Sequence, residues 1–250
     1  MIPDAFGWEL SNCRLLADAY SKEGGFLVYL PDFMNGKNQL GHLLTPDRLL
    51  TISSGHIPSA SAMHAMESLL AASPSIFTTI FYKPIWLFKA IAAFVPFLMF
   101  NAESVIKPKV VSFHEALRSD PETKYLKIGS AGFCWGGKHT ILLSQEPNLI
   151  DVGFTAHPSN VKFPEDWDKV QKPLSIAIGD VDLAIKIELV NDIKALLEGE
   201  RKPKGQNEVV VYPEAKHGFA VRADPKDEGQ TKSAGEALKQ AVAWFGKWMT

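Results

Sequence analysis

Gly132-Phe133-Cys134-Trp135-Gly136-Gly137 is the stretch that decides the fold of this 250-residue chain. Glycines stand two residues on either side of Cys134. A sharp turn from a strand into a helix requires this spacing, because the central residue is strained and the flanking chain passes where a Cβ would clash. Serine is the usual central residue, so the stretch predicts an elbow that carries a thiol. Taken alone, a free cysteine is more often a small buried apolar residue.

Short apolar segments alternate with amphipathic ones along the chain, which is typical of the α/β class. The apolar segments are nearly continuous, as expected for a mostly parallel sheet that is buried on both faces. The predicted strands are 26–30, 126–129, 152–156, 174–178 and 209–212. Helical spacing of apolar residues predicts covering helices over 10–21, 183–197 and 234–249.

Two polar loops follow predicted strands downstream of the elbow. Gly179 to Asp182 follows the strand 174–178, and Pro213 to Phe219, which contains His217, follows the strand 209–212. Because the carboxyl ends of parallel strands meet at one edge of a sheet, we expect both loops to lie close to Cys134. A reactive cysteine needs a base to remove its proton and a carboxylate to orient that base. The chain supplies nucleophile, acid and histidine in the order that this architecture uses.

These motifs resemble those of the dienelactone hydrolase family, a branch of the α/β-hydrolases whose nucleophile is cysteine. The stretch from Gly132 to Gly137 is similar to the family's Gly-x-Cys-x-Gly-Gly elbow, and Lys216-His217-Gly218-Phe219 is similar to its His-x-Phe loop. The resemblance extends from about Ile2 to the C-terminus. It implies an α/β-hydrolase fold and cleavage of a carboxylic ester or lactone through a thioester acyl-enzyme, with no metal or organic cofactor.

The resemblance also implies catalytic roles for Cys134, Asp182 and His217. The family's Gly-x-x-Asp loop corresponds to Gly179 to Asp182, which makes Asp182 the carboxylate that orients the histidine. Asp180 stands in the same loop and remains the alternative.

Asp4-Ala5-Phe6-Gly7 resembles the family's Glu-x-Phe-Gly turn, with aspartate in place of glutamate. In relatives this acid pairs with the resting thiol, which implies a possible activating role for Asp4. Aspartate is also a good helix N-cap, so capping the following helix is the alternative. Relatives carry several tens of residues before this turn, including strands at one side of the sheet. We therefore expect missing or truncated N-terminal strands and an exposed strand edge.

Further roles follow from the same resemblance. The backbone N–H groups of Ala5 and Trp135 would form the oxyanion hole, and Arg222 could hold a substrate carboxylate. Bacterial relatives place that arginine one residue nearer the histidine, where this chain has Val221. Outside the motifs, Cys13 is interpreted as a core residue, and His157-Pro158 as loop packing.

Composition limits the partners and the location. A formal net charge of -2 and a pI near 6.4 leave no basic surface for nucleic acid, which favours a small-molecule ester or lactone as the partner. The two cysteines form no disulfide framework and no metal-ligand spacing, and no secretory signal follows Met1. We expect a cytoplasmic single domain over 1–250 that is a monomer or a homodimer.

Residues 76–100 are apolar almost throughout. A membrane span needs about 20 predominantly apolar residues, and two lysines and two prolines are expected to cut this stretch into shorter pieces. We therefore predict buried or lid helices within a lid-like insertion at about 72–108 in preference to a membrane anchor. The alternatives are a lipid-surface protein and a catalytically silent relative that binds a small apolar ligand or partner.

Overall fold

The computed structural model describes residues 1–34, 63, 65, 68–69, 82–200 and 202–249. The chain divides into two compact units. The larger comprises Met1–Asp4, Trp8–Pro31 and Val110–Thr250, and the smaller comprises Ala5–Gly7 and Asp32–Lys109. A single domain over 1–250 stays a prediction. The insertion at about 72–108 also stays one, and its residues 72–81 lie outside the described part of the chain.

The larger unit is built on a parallel sheet. Its strands in the described residues are β1 (Gly129–Phe133), β2 (Val152–Ala156), β3 (Leu174–Gly179) and β4 (Asn207–Tyr212), which lie in the order β1-β2-β3-β4. All three pairings are parallel. Every residue of β2 and β3 is buried, as expected for strands covered on both faces. The predicted α/β architecture is confirmed.

Ile2 pairs with β1 on the side away from β2. It forms a parallel bridge to Gly132, in which the Ile2 N–H donates to the Ala131 carbonyl at 2.7 Å and the Phe133 N–H donates to the Ile2 carbonyl at 3.2 Å. The edge of β1 expected to be exposed is therefore partly covered by the beginning of the described chain. This bridge brings Asp4 toward the elbow that follows β1.

Helices cover both faces of the sheet. The helices of the described residues are α1 (Ser11–Gly24), α2 (Lys83–Phe100), α3 (Glu103–Ser119), α4 (Trp135–Leu143), α5 (Ile187–Glu198), α6 (Phe219–Arg222) and α7 (Glu228–Trp248), of which α2 belongs to the smaller unit and does not count among the covering helices. One apolar cluster joins α1 and α7 to Phe133 and Phe154, and Cys13 is fully buried in it. A second joins α5 and Ile141 of α4 to β3. The helices predicted over 10–21, 183–197 and 234–249 correspond to α1, α5 and α7.

Two strand predictions need correction. The strand predicted over 26–30 is wrong, because this segment is not assigned as a strand and pairs with none of the described strands. Leu27 and Tyr29 are 71% and 43% exposed, so only alternate side chains of the segment pack on the core. The strand predicted over 126–129 begins instead at Gly129 and continues to the elbow, since Leu126 is exposed and the ladder with β2 starts at Gly129.

Helix α2 belongs to the smaller unit and is continuous across Pro96, so the expectation that prolines divide this stretch is wrong. The helix is also mostly exposed, contrary to the prediction of buried helices, and its exposed side chains include Phe88 and Met99. By length and composition alone it could cross a membrane, and among the described helices no other meets that test. Its role as a lid stays a prediction.

Candidate active site

Cys134 lies at the turn between β1 and α4, as the glycine spacing predicts. Its backbone has φ 52° and ψ −114°, a conformation that costs a residue with a side chain about 1–3 kcal/mol. Hydrogen bonds hold this strained turn: the Cys134 N–H donates to the Ala156 carbonyl at 3.2 Å, and the Gly137 N–H donates to the Cys134 carbonyl at 3.0 Å. The thiol is therefore presented at the carboxyl end of the sheet.

The three glycines of the elbow each allow a different close approach. A Cβ on Gly132 would overlap the Gly136 carbonyl, which would block the turn itself. A Cβ on Gly136 would overlap the carbonyl oxygens of Ile2 and Pro3. A Cβ on Gly137 would clash with Thr155 and with Pro158, in the loop after β2. The motif therefore serves the packing of two neighbouring segments as well as the turn.

Replacing Gly136 with alanine is expected to destabilise the protein by about 1–3 kcal/mol, because the added methyl meets backbone carbonyls that cannot move aside as a flexible side chain can. Urea unfolding measures the change. Gly235 is the matched control, since it lies within α7 with no atom within 4 Å of an added Cβ. Gly235→Ala should stabilise the helix by about 0.5–1 kcal/mol. Equal effects of the two substitutions would contradict the role assigned to Gly136.

His217 and Asp182 meet Cys134 through a continuous chain of contacts. Nε2 of His217 lies 3.1 Å from the Cys134 Sγ, and its Nδ1 lies 3.0 Å from each carboxylate oxygen of Asp182. The Asp182 carboxylate also accepts from the N–H groups of Ala184 at 2.7 Å and Ile185 at 3.4 Å. The Asp182 side chain is fully buried and that of His217 is 8% exposed, so these contacts are shielded from water.

Asp180 occupies a different position. Its carboxylate accepts from the Glu214 N–H at 2.7 Å, and its own N–H donates to the Tyr212 carbonyl at 3.2 Å. Asp180 therefore ties the loop after β3 to the loop after β4. The carboxylate that contacts the histidine ring belongs to Asp182.

The electrostatics favour a charged Cys134–His217 pair. Burial alone would raise the pKa of the Cys134 thiol, but the His217 charge and its hydrogen bond outweigh burial, so this pKa falls below its ordinary value of 9.0. Burial alone would likewise lower the pKa of His217. The Cys134 charge and the hydrogen bond that His217 donates to Asp182 reverse that effect and raise the pKa of His217 to about 10. Each charge therefore stabilises the other, and the contact favours the thiolate–imidazolium form of the pair.

Asp4 and Arg222 form a buried ion pair beside this centre. The Arg222 Nε lies 3.6 Å from a carboxylate oxygen of Asp4, whose side chain is fully buried. Asp4 raises the pKa of Cys134 and Arg222 lowers it, so their influences on the thiol oppose each other. The guanidinium also packs against Gly218, where a Cβ would overlap it. These contacts hold Arg222 against the buried carboxylate, and substrate binding by Arg222 stays a prediction.

The two predicted oxyanion donors belong to different units. Trp135 is the first residue of α4, so its N–H lies at a helix N-terminus, where the helix dipole favours negative charge. Ala5 is buried and belongs to the smaller unit. The oxyanion hole therefore stays a prediction. Among the described residues, no group of three or more His, Cys, Asp or Glu is placed to hold a metal ion.

Two residues of the loop after β2 also lie at this centre: Ser159, which the sequence did not point to, and His157, which was interpreted as loop packing. The Ser159 Oγ lies 3.4 Å from the Cys134 Sγ. The ring of His157 is fully buried and meets the His217 ring edge to face, with centroids 5.3 Å apart. The available signal was their position, because they follow a strand at the carboxyl edge of the sheet, as the acid and histidine loops do.

A parallel sheet flanked by helices, with a cysteine on a strained strand-to-helix elbow and a histidine and an aspartate on later loops, defines the class of α/β-hydrolase folds. The dienelactone hydrolase family model matches residues 1–249. The chain belongs to the dienelactone hydrolase family, a family of hydrolases.

Individual relatives agree with this assignment. The hydrolase tropI of Talaromyces stipitatus is 33% identical over 252 residues, which cover 100% of this chain and 80% of that protein. The carboxymethylenebutenolidase homolog of Xenopus tropicalis is 23% identical over 252 residues, covering 100% of this chain and 81% of that protein. The crystal structure of a dienelactone hydrolase-like promiscuous phosphotriesterase from metagenomic libraries shares the fold, with a TM-score of 0.57 at 15% identity, covering 100% of this chain and 85% of that one.

Proposed function

We propose that this protein hydrolyses a carboxylic ester or lactone of moderate size, with Cys134 as the nucleophile, His217 as the base and Asp182 as the orienting carboxylate. The observation that carries the proposal is the contact chain from the Cys134 Sγ through both ring nitrogens of His217 to the buried Asp182 carboxylate. A nucleophile, a base within hydrogen-bond reach and a third group that orients the base are the requirements for covalent acyl transfer.

The first half of the reaction forms a thioester. Cys134 loses its proton to Nε2 of His217, and the thiolate attacks the ester carbonyl carbon to give a tetrahedral intermediate. Asp182 accepts a hydrogen bond from the opposite ring nitrogen and stabilises the imidazolium. As the intermediate collapses, the imidazolium returns the proton to the leaving alkoxide, so the alcohol departs and the acyl group stays on sulfur.

The second half releases the acid. His217, now neutral, removes a proton from water, which attacks the thioester carbonyl. The second intermediate collapses by breaking the carbon–sulfur bond, and the electron pair returns to Cys134. Negative charge develops on the carbonyl oxygen in both halves. The Trp135 N–H at the start of α4 and the Ala5 N–H are the proposed donors to it, and one such donor contributes about 2.7–4 kcal/mol in a characterised hydrolase.

The proposed reaction uses no metal and no organic cofactor, since every proton transfer is assigned to a side chain of the centre. We propose a small-molecule substrate and a cytoplasmic location, with the protein a monomer or a homodimer. Asp4 is proposed to modulate the thiol, because its buried carboxylate raises the pKa of Cys134. A catalytically silent relative would retain the fold but form no acyl-enzyme.

The acyl-enzyme itself provides the test. Mixing the protein with an activated aryl ester is expected to produce a burst of released phenol and a mass increase equal to the acyl group, located by peptide mapping on Cys134. Cys13 is the internal control: burial raises the pKa of its thiol and it is 0% exposed, so it should stay unmodified. Turnover without an adduct on Cys134, or acylation of Cys13 instead, would contradict the proposed nucleophile.

A further inference from the structure

Backbone hydrogen bonds join Cys134 to the end of β2 and to the loop that follows it, one through the N–H of Cys134 and one through its carbonyl. The Cys134 N–H donates to the Ala156 carbonyl at 3.2 Å, just before the loop, and the Ser159 N–H donates to the Cys134 carbonyl at 3.0 Å. His157 starts the loop with φ 39°, and its N–H donates to the Ala177 carbonyl at 2.8 Å. The backbone of Ser159 is therefore held in register with the nucleophile.

This registration brings the Ser159 hydroxyl to the reacting atom. The Oγ lies 3.4 Å from the Cys134 Sγ, within the reach of a hydrogen bond to sulfur. A thiolate can only accept hydrogen bonds, so in the charged pair the hydroxyl is the donor. The sulfur then has two donors from two separate loops, Nε2 of His217 at 3.1 Å and Oγ of Ser159.

We propose that Ser159 is a further catalytic residue, whose hydroxyl donates a hydrogen bond to the Cys134 thiolate both before attack and as the thiolate leaves the acyl-enzyme. The proposal rests on the function proposed above. When sulfur bonds to the carbonyl carbon, its charge moves to the carbonyl oxygen and the Ser159 hydroxyl loses its charged acceptor. When the carbon–sulfur bond breaks, the electron pair returns to sulfur and the hydroxyl donates again. No proton leaves Ser159 in either step.

Other groups around Cys134 also act on its charge, and the test leaves them in place. His217 and Arg222 lower the pKa of the thiol, and Asp4 raises it. His157 faces His217, and burial keeps the pKa of its ring well below its ordinary value of 6.5, so it stays neutral. Removing the hydroxyl of Ser159 changes none of these charges, so a shift in thiol ionisation reports on the hydroxyl alone.

The test is the pH dependence of Cys134 alkylation by iodoacetamide in the whole protein. Ser159→Ala is expected to raise the midpoint of the alkylation pH profile by about one pH unit. The alkylation rate then falls about tenfold at pH values below that midpoint. Ser119→Ala is the control, because the Ser119 hydroxyl also makes one hydrogen bond, to the Glu115 carbonyl on the exposed side of α3. Its midpoint should equal that of the wild type.

A second pair of variants separates the hydroxyl from packing. The threonine and valine side chains have nearly the same size, but threonine carries a hydroxyl where valine carries a methyl group. Ser159→Thr should therefore keep the wild-type midpoint, and the midpoint of Ser159→Val should rise as that of Ser159→Ala does. Equal midpoints for Ala and wild type, or equal shifts for Thr and Val, would overturn the proposal. The alkylation midpoint needs no ester turnover. If the wild type hydrolyses no ester but the midpoint shifts, the proposed function fails and the Ser159 contact stands.

Discussion

Replacing Cys134 with alanine should lower ester hydrolysis by at least about 10⁴-fold, the largest effect expected for any substitution in this protein. The reason is that the proposed mechanism passes through a covalent bond to sulfur. Without Sγ, the 3.1 Å contact from Nε2 of His217 has no nucleophile to activate. Residual catalysis would come only from substrate binding and from the proposed oxyanion donors. Initial rates on a panel of small esters and lactones measure the loss.

The matched control is Cys13→Ala, which removes the other thiol of the chain. Cys13 lies in α1 and is fully buried in the apolar cluster against the sheet. Its replacement is expected to leave the rate per folded molecule unchanged and to destabilise the protein by about 1 kcal/mol, since it deletes one buried atom. Equal hydrolysis by the wild type and Cys134→Ala would remove the basis for a cysteine mechanism. It would leave the family assignment intact.

Replacing Asp182 with asparagine should reduce kcat by about 10³–10⁴-fold, by analogy with the same change in serine hydrolases. The carboxylate accepts from Nδ1 of His217 and leaves Nε2 free to take the thiol proton. An asparagine amide can donate to Nδ1 and so place the ring proton on Nε2, where it blocks that transfer. Losing the carboxylate also lowers the pKa of His217, which weakens the thiolate–imidazolium pair. The pre-steady-state acylation rate is the sharpest measurement.

Asp180→Asn is the control for Asp182, because the two residues share one loop and the substitution makes the same chemical change. The Asp180 carboxylate accepts from the Glu214 N–H, and an asparagine carbonyl can accept in the same way. Its effect on kcat should stay within a few-fold. A larger loss at Asp180 than at Asp182 would reverse the proposed assignment of the acid.

The elbow and the two later loops were accessible from the sequence because they depend on local chemistry. Glycines around Cys134 are needed wherever a strand turns sharply into a helix, and a loop that follows a parallel strand reaches the same edge whatever its length. The structure indeed brings Cys134, Asp182 and His217 together. Residue spacing could not separate Asp180 from Asp182, since both follow β3. The backbone path of the loop decides which carboxylate faces the ring.

The strand predicted over 26–30 and the helix break predicted at the prolines are wrong for physical reasons. Residues 26–30 have the apolar composition of a buried strand, yet Leu27 is 71% exposed and the segment pairs with no strand in the part of the chain that the structure describes. Composition shows which side chains of a segment are apolar enough to be buried. Whether they are buried depends on the elements that pack against the segment in the folded protein. Continuity of α2 across Pro96 was missed for a similar reason. A proline removes one hydrogen bond and disfavours a helix, but the surrounding turns can maintain it.

The sequence by itself determined the α/β class, the elbow at Cys134 and the loops that carry Asp182 and His217, because glycine spacing and strand order act locally along the chain. Only the tertiary structure decided that Ser159, 25 residues beyond the cysteine in sequence, lies 3.4 Å from its sulfur. That contact depends on two parallel strands in register and on backbone hydrogen bonds between their loops. Backbone hydrogen bonds form between groups that nearly every residue carries, so no pattern of side chains in the sequence predicts them.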